Sequence, residues 1–155
     1  MRTSPDSTAP LSFRRGIGRA FQVASFFPSM TVAENLQAAI VAHRGQWADL
    51  NHRFPRHGIR ERALEVAEML GLQDSAGVLS ANLSHGDQKL LEIALALALE
   101  PSLLLLDEPT AGMGPEERRQ MIEKVQRLWQ LQNMTLAFIE HDMDIVFGIS
   151  RPRSG

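Results

Sequence analysis

Two adjacent carboxylates, Asp107 and Glu108, stand at the end of the apolar run Leu103-Leu104-Leu105-Leu106 and are followed by Pro109 and Thr110. Four apolar residues in a row read as a strand covered on both faces, as in a parallel sheet. Ligands of such sheets gather beyond the carboxyl ends of the strands. At that edge Asp107 can hold a magnesium ion through water, while Glu108 can orient or deprotonate an attacking water, two tasks that need separate oxygens. This is how a nucleotide-hydrolysing site is built. A plain strand running into a polar turn would give the same string.

Upstream, Leu83-Ser84-His85-Gly86-Asp87-Gln88 precedes the apolar run Leu90 to Leu99. Ser84 fits a helix N-cap, with the free N–H groups of the first turn making a positive end. Gly86 leaves room for a phosphate or another backbone to approach. The same residues also fit an ordinary capped core helix, stopped by Glu100-Pro101.

The LSHGDQ string followed by LLLLDEPT resembles the signature motif and Walker B segment of ATP-binding cassette (ABC) ATPases. Two further elements keep the family's order: Gln22 resembles the Q-loop glutamine, and His141, in Ile139-Glu140-His141-Asp142, resembles the switch histidine. Four motifs in register are far more specific than any one of them. The resemblance implies ATP and Mg2+ as ligands, with Glu108 and His141 catalytic, Asp107 and Gln22 at the metal, and Gln22 with Ser84, His85, Gly86, Asp87 and Gln88 at the nucleotide. An amide such as Gln22 can accept from a metal-bound water and donate to a phosphate oxygen. A lone glutamine is otherwise a surface amide, and a lone histidine at a strand end a structural hydrogen-bonder.

His85 stands where glycine is usual in the family, and Gly114 where an aspartate commonly lies. With EHDMDIVF, these accents are similar to the ATPase subunits of branched-chain amino acid importers. Urea and amide importers use nearly the same words. The resemblance implies a second ABC ATPase subunit as dimer partner, integral membrane permease subunits as further partners, and a place at the cytoplasmic face of the membrane. The solute is not contacted directly.

A phosphate-wrapping loop of the form G-x-x-x-x-G-K-[ST] is missing from these 155 residues. Of the two lysines, Lys89 lies on the signature helix and Lys124 on a polar helix. The chain therefore reads as part of a cassette. The expected fold class is α/β: a partial P-loop NTPase cassette with a parallel sheet core and a helical signature lobe. The expected organisation is a disordered tail over 1–12, a partial ATPase domain over 13–150 (helical lobe about 31–99, catalytic-core part about 100–150) and a tail over 151–155.

Thr31-Val32-Ala33-Glu34 spells a capping box and opens a helix to about His43, with Val32, Leu36, Ala39 and Ile40 on one face. A loop from Gly45 to Gly58 and a second amphipathic helix from Ile59 to Leu70, stopped by Gly71, follow. Pro115, with Glu116 and Glu117 behind it, begins a helix to about Leu131 whose expected buried side is Met121, Ile122, Val125, Leu128 and Trp129. Asn133 ends it, and Thr135 to Ile139 forms a strand parallel to 103–106. Gly18 to Val23 reads as a strand end, and Asp142 to Ile149 as the start of a helix. Phe26-Phe27-Pro28-Ser29-Met30 is either the permease contact or a buried loop anchor.

A net charge of -2 without a basic run argues against a nucleic-acid surface. With no cysteine, disulfide and thiolate-metal chemistry are excluded. The histidines are too scattered for zinc. Leu90 to Leu106 is the longest apolar region, but Glu92, Glu100, Pro101 and Ser102 interrupt it short of the ~20 residues a membrane span needs. A non-catalytic module that docks on a permease or partner ATPase is the alternative to a hydrolase. A DNA-repair or translation cassette is disfavoured by the GDQ wording and the short helical lobe.

Each charge-assisted hydrogen bond of a phosphate cradle is worth roughly 1.5–3 kcal/mol, so its loss weakens nucleotide binding by orders of magnitude. Titration calorimetry of the 155-residue chain with MgATP is expected to show no micromolar binding; a micromolar isotherm would contradict this reading.

Overall fold

The structure, a computed structural model, describes residues 17–20, 26–43, 58–131 and 134–139. The sheet has three strands, β1 (Ile17–Ala20), β2 (Leu103–Asp107) and β3 (Thr135–Ile139), in the order β1-β2-β3 with both pairings parallel. The helices are α1 (Val32–His43), α2 (Ile59–Met69), α3 (His85–Ala98) and α4 (Pro115–Leu131).

Leu104 and Leu106 of β2 are fully buried, whereas Leu103, Leu105 and Asp107 are half-buried. No residue of the strand is exposed, in keeping with cover on both faces, but the two faces are unequal. Successive side chains point to opposite faces, and only one face of β2 is completely packed by the described residues.

α1, α2 and α3 pack on one another, and α3 also packs on β1 and β2. The signature helix is thus the shared wall between the helical layer and the sheet, with Leu90, Leu91, Ile93, Ala94, Leu97 and Ala98 all buried. One core cluster runs from Val32 on α1 through α2 and α3 to Leu104 and Leu106 and on to Leu128 of α4. On α4, Met121, Val125 and Leu128 are buried as expected and Ile122 is half-buried. Trp129 is not: it is 50% exposed. One residue past Leu128 is a 100° turn about the helix, and that turn carries the indole off the packed stripe.

The helix ends follow local chemistry. At α1 the Glu34 carboxylate accepts from Thr31 N–H (2.8 Å) and the Thr31 hydroxyl accepts from Glu34 N–H (3.2 Å), the reciprocal capping box its sequence spells. The first two helical N–H groups, of Val32 and Ala33, donate to the carbonyls of Val78 (3.1 Å) and Ala76 (3.0 Å). α2 ends in a Schellman turn: Gly71 takes φ 71°, its N–H donates to Glu68 O (3.0 Å), and Leu72 N–H donates to Ala67 O (2.8 Å).

α3 ends less comfortably. Glu100 occupies the left-handed position with φ 50°, and its N–H donates to Leu97 O (2.9 Å). The next residue is Pro101, which has no N–H to complete the motif. A Cβ in this conformation costs ~1–2 kcal/mol, and a carboxylate at a helix C-terminus adds unfavourable charge. Its 3.8 Å contact with Arg62 is partly exposed and offsets little. Glu100→Gly is expected to stabilise the fold by ~0.5–1 kcal/mol, read as a higher midpoint in urea; a lower midpoint would contradict the strain.

Candidate functional site

β2 carries Asp107 to the carboxyl edge of the sheet, in register with Ile139 of β3. Leu106, one residue earlier, is in register with Ala20 of β1. Because both pairings are parallel, β1 and β3 leave the sheet at the edge where Asp107 stands. Gln22 and His141, two residues past those strand ends, lie outside the described residues, as do the expected tails and the segment after His141.

Glu108 turns the chain sharply. Its φ is 48°, its N–H donates to Ile139 O (2.8 Å), and its carbonyl accepts from Ala111 N–H (3.1 Å). Thr110 O then accepts from Met113 N–H (3.2 Å), and the Met113 side chain is buried. The acid is therefore held by a bonded turn with a buried anchor at its far end. A non-glycine residue in the left-handed region is strained by ~1–2 kcal/mol, and such strain gathers at functional sites.

A second group of candidate residues stands at the start of α3. The Ser84 hydroxyl accepts from Asp87 N–H (3.1 Å) and donates to Asp87 Oδ2 (2.9 Å), as an N-cap should. Gln88 N–H donates to Ser84 O (2.9 Å), and the Gln88 amide reaches the carbonyls of Ser80 and Leu83, each at 3.4 Å. A Cβ added to Gly86 would meet only the Ser84 hydroxyl, at 4.0 Å. Among the described residues nothing packed there requires glycine. His85, exposed, lies beside the turn that follows Glu108: a Cβ on Gly112 (φ 77°) would sit 3.6 Å from His85 Nε2. The structure thus brings His85 next to the turn that begins at Glu108, in addition to gathering Ser84 to Gln88 at one helix end.

The residues present suit a nucleotide and magnesium in a specific way. Among the described residues there is no cluster of three acidic or histidine side chains that could form an all-protein metal cage. Magnesium is commonly held by one or two carboxylates with phosphate oxygens and water, a role open to Asp107.

A model of the ABC transporter family matches residues 3–111. This chain belongs to the ABC transporter family. It is 38% identical over 145 residues to the high-affinity branched-chain amino acid transport ATP-binding protein LivG of Escherichia coli K12, covering 88% of this chain and 56% of that protein. The methionine import ATP-binding protein MetN of Myxococcus xanthus is 38% identical over 136 residues, covering 88% of this chain and 38% of its own length. Among solved structures, MJ1267, an ATP-binding cassette of an ABC transporter, matches with a TM-score of 0.70 at 29% identity, over 89% of this chain and 56% of that one. The ABC chain thus spans about half the length of LivG and of MJ1267, and its fold is the partial cassette expected from its motifs.

Two groups of residues escaped sequence reasoning. Asn35 is 2% exposed and Ser80 fully buried, and the two are bonded to each other at 2.9 Å. A polar residue three positions after Val32, on the apolar face of a helix, was the available signal for Asn35. Val78 and Leu79, 37% and 43% exposed, lie beside the Phe27 to Met30 turn through the Thr31 and Leu79 bridge. Their pairing joins segments far apart in the chain. In the Phe26 to Met30 segment, Phe26 packs against the core, as the loop-anchor reading expects, while Phe27 is 57% exposed.

Glu92, midway along α3, is an ionisable group with a consequence for pH. Partial burial pushes its carboxyl above the usual range, and the charges of Lys89 and His85 offset this in part. A carboxyl raised on folding favours the protonated native state. Its stabilising contribution is present at acid pH and is lost as pH rises through the folded value. Glu92→Gln, which mimics the protonated form, is expected to raise the melting temperature at pH 7–8 and to lose that advantage at the acid end of the carboxylate range. An equal gain at both pH values would contradict the burial effect.

Proposed function

We propose that this chain is part of the ATP-binding and ATP-hydrolysing subunit of an ABC importer, of the branched-chain amino acid type, that energises transport through a membrane permease. The observation that carries the proposal is the pairing of a strained carboxylate at a parallel sheet edge, Glu108, with a capped helix end whose Gly86 side is open. In this reading Asp107 and Gln22 hold Mg2+ and Glu108 orients or deprotonates the attacking water. His141 bonds the terminal phosphate. Ser84, His85, Gly86, Asp87 and Gln88 meet ATP held by a second ATPase subunit. The helical lobe spans about 31–99 and the catalytic-core part about 100–150.

Bound magnesium would draw charge from the phosphates. The chain's own part is to place the Glu108 carboxylate. With the backbone of Glu108 bonded at both its N–H and its carbonyl, the side chain leaves a fixed point, which is what a general base needs. The Ser84 hydroxyl proton is given to Asp87 within the chain, so a phosphate taking that proton must displace this carboxylate. Gln88 is tied to nearby carbonyls and supports the loop end.

Exposed Phe27, Met30, Val78 and Leu79 form an apolar surface fit for a permease's cytoplasmic segment. No helix among the described residues is long and apolar enough to cross a membrane; in this reading the docking holds the chain at the cytoplasmic face of the membrane. A non-catalytic module would use the same surface. The branched-chain assignment rests on the LivG likeness and the importer wording of the motifs.

The test is co-purification of the chain with a full-length branched-chain cassette ATPase and its permease, with and without MgATP. Gly86→Ala should leave the chain's own stability unchanged or raise it by up to ~1 kcal/mol while weakening MgATP-dependent association with the second ATPase. Phe27→Asp should release the permease without lowering the melting temperature. Unchanged association in both variants would refute the proposed surfaces.

A further inference from the structure

The Phe27 to Met30 turn and the start of α3 are joined by a buried chain of hydrogen bonds. Met30 N–H donates to Phe27 O (3.0 Å), closing the turn. The Asn35 side chain then clasps it: its oxygen accepts from Phe27 N–H (2.7 Å), and its nitrogen lies near Phe27 O (3.1 Å), Thr31 O (3.0 Å), Met30 O (3.3 Å) and the Ser80 hydroxyl (2.9 Å). The amide has two protons for these four acceptors, so the contacts are shared among them and are not four full hydrogen bonds at once.

Ser80 continues the path. Its hydroxyl donates to Met30 O (3.0 Å), its N–H donates to the same oxygen (2.9 Å), and the next N–H, of Ala81, donates to Pro28 O (3.2 Å). On its other side the Ser80 carbonyl accepts from the Gln88 side chain (3.4 Å) and from Leu83 N–H (3.4 Å). Ser80 is thus bonded to the exposed turn through its hydroxyl and N–H, and to the signature segment through its carbonyl. The residues from Ser80 to Asn82 form a single 3-10 turn, so the covalent link to Ser84 is short and already wound.

We infer that Asn35 and Ser80 are positioning residues that hold the signature end of α3 to the Phe27 to Met30 turn, so that whatever seats on the turn sets the pose of Ser84 to Gln88. This deepens the docking and signature roles proposed above and rests on them for its use in transport. The mechanical link itself belongs to the isolated chain. Because Asn35 and Ser80 are closed to solvent, a displaced turn cannot exchange these bonds for water. It must break them together or carry Ser80 along.

Amide exchange by NMR on the full chain tests the link. Ser80→Ala, which removes only the hydroxyl, should speed exchange of the Asp87 and Gln88 amides about tenfold beyond any change in global stability. Ser80→Thr should restore it. Val66→Ala, a core change on α2, should speed exchange everywhere without singling out that helix end. A second arm does not depend on how well Ser80→Ala folds. Phe27→Ala alters an exposed side chain, and it should shift the Gln88 side-chain amide resonance in the otherwise wild-type protein. Faster exchange confined to Met30 and Ser80, or a Gln88 resonance unmoved by Phe27→Ala, would overturn the inference. These readouts need no partner, so a permease that failed to bind would refute docking while leaving the link standing.

Discussion

The central strand β2 is bonded on both sides, to β1 and to β3, and the rest of the molecule depends on that double pairing. Parallel register fixes which ends of three strands meet at one edge. The same register brings the Ile139 carbonyl to the Glu108 N–H, so the acid's backbone is set by a neighbouring strand as well as by its own turn. With Leu104 and Leu106 fully buried on the packed face, β2 cannot slide by one residue without turning that pair outward. Core packing and site geometry are therefore one constraint seen from two ends of a strand.

α3 transmits this constraint to the helical layer. Its apolar flank rests on β1 and β2 and its other flank on α1 and α2, while its first turn carries the signature residues. Close packing makes such a helix respond as a rigid body. Asn35 and Ser80 add polar ties at the end where the helix begins, in a region otherwise built from exposed apolar side chains. A capped helix end and a bonded turn are individually ordinary; in this ABC chain they share a buried serine.

Much of the architecture could be read from residue order. The capping box at Thr31 and Glu34, the stop at Gly71, the Ser84 cap and the Pro115 start are local rules, each satisfied within a few residues. The parallel strands followed from apolar runs separated by one helix. What stayed hidden was long-range. The 2.9 Å bond from Asn35 to Ser80 spans forty-five positions, and the pairing of Thr31 with Leu79 leaves no periodic trace in either segment. Trp129 failed for a different reason: a hydropathy stripe marks which residues prefer burial, and the ~100° step past Leu128 carries the indole off the packed side of α4. Of the candidate site, Asp107, Glu108 and Ser84 to Gln88 were identifiable from motif wording. The backbone twist at Glu108 was not, since acidic residues show no preference strong enough to announce it.

That twist sets the folding interest of position 108 against its chemistry. Glycine would enter the left-handed conformation freely, and a β-branched side chain would enter it only with great difficulty. A chain judged on folding alone would drift toward glycine at 108 and grow sturdier as it lost its acid. Glutamate at this position is thus a standing cost to the fold, borne by the carboxylate's neighbours, and a library screened only for thermal robustness would discard it early.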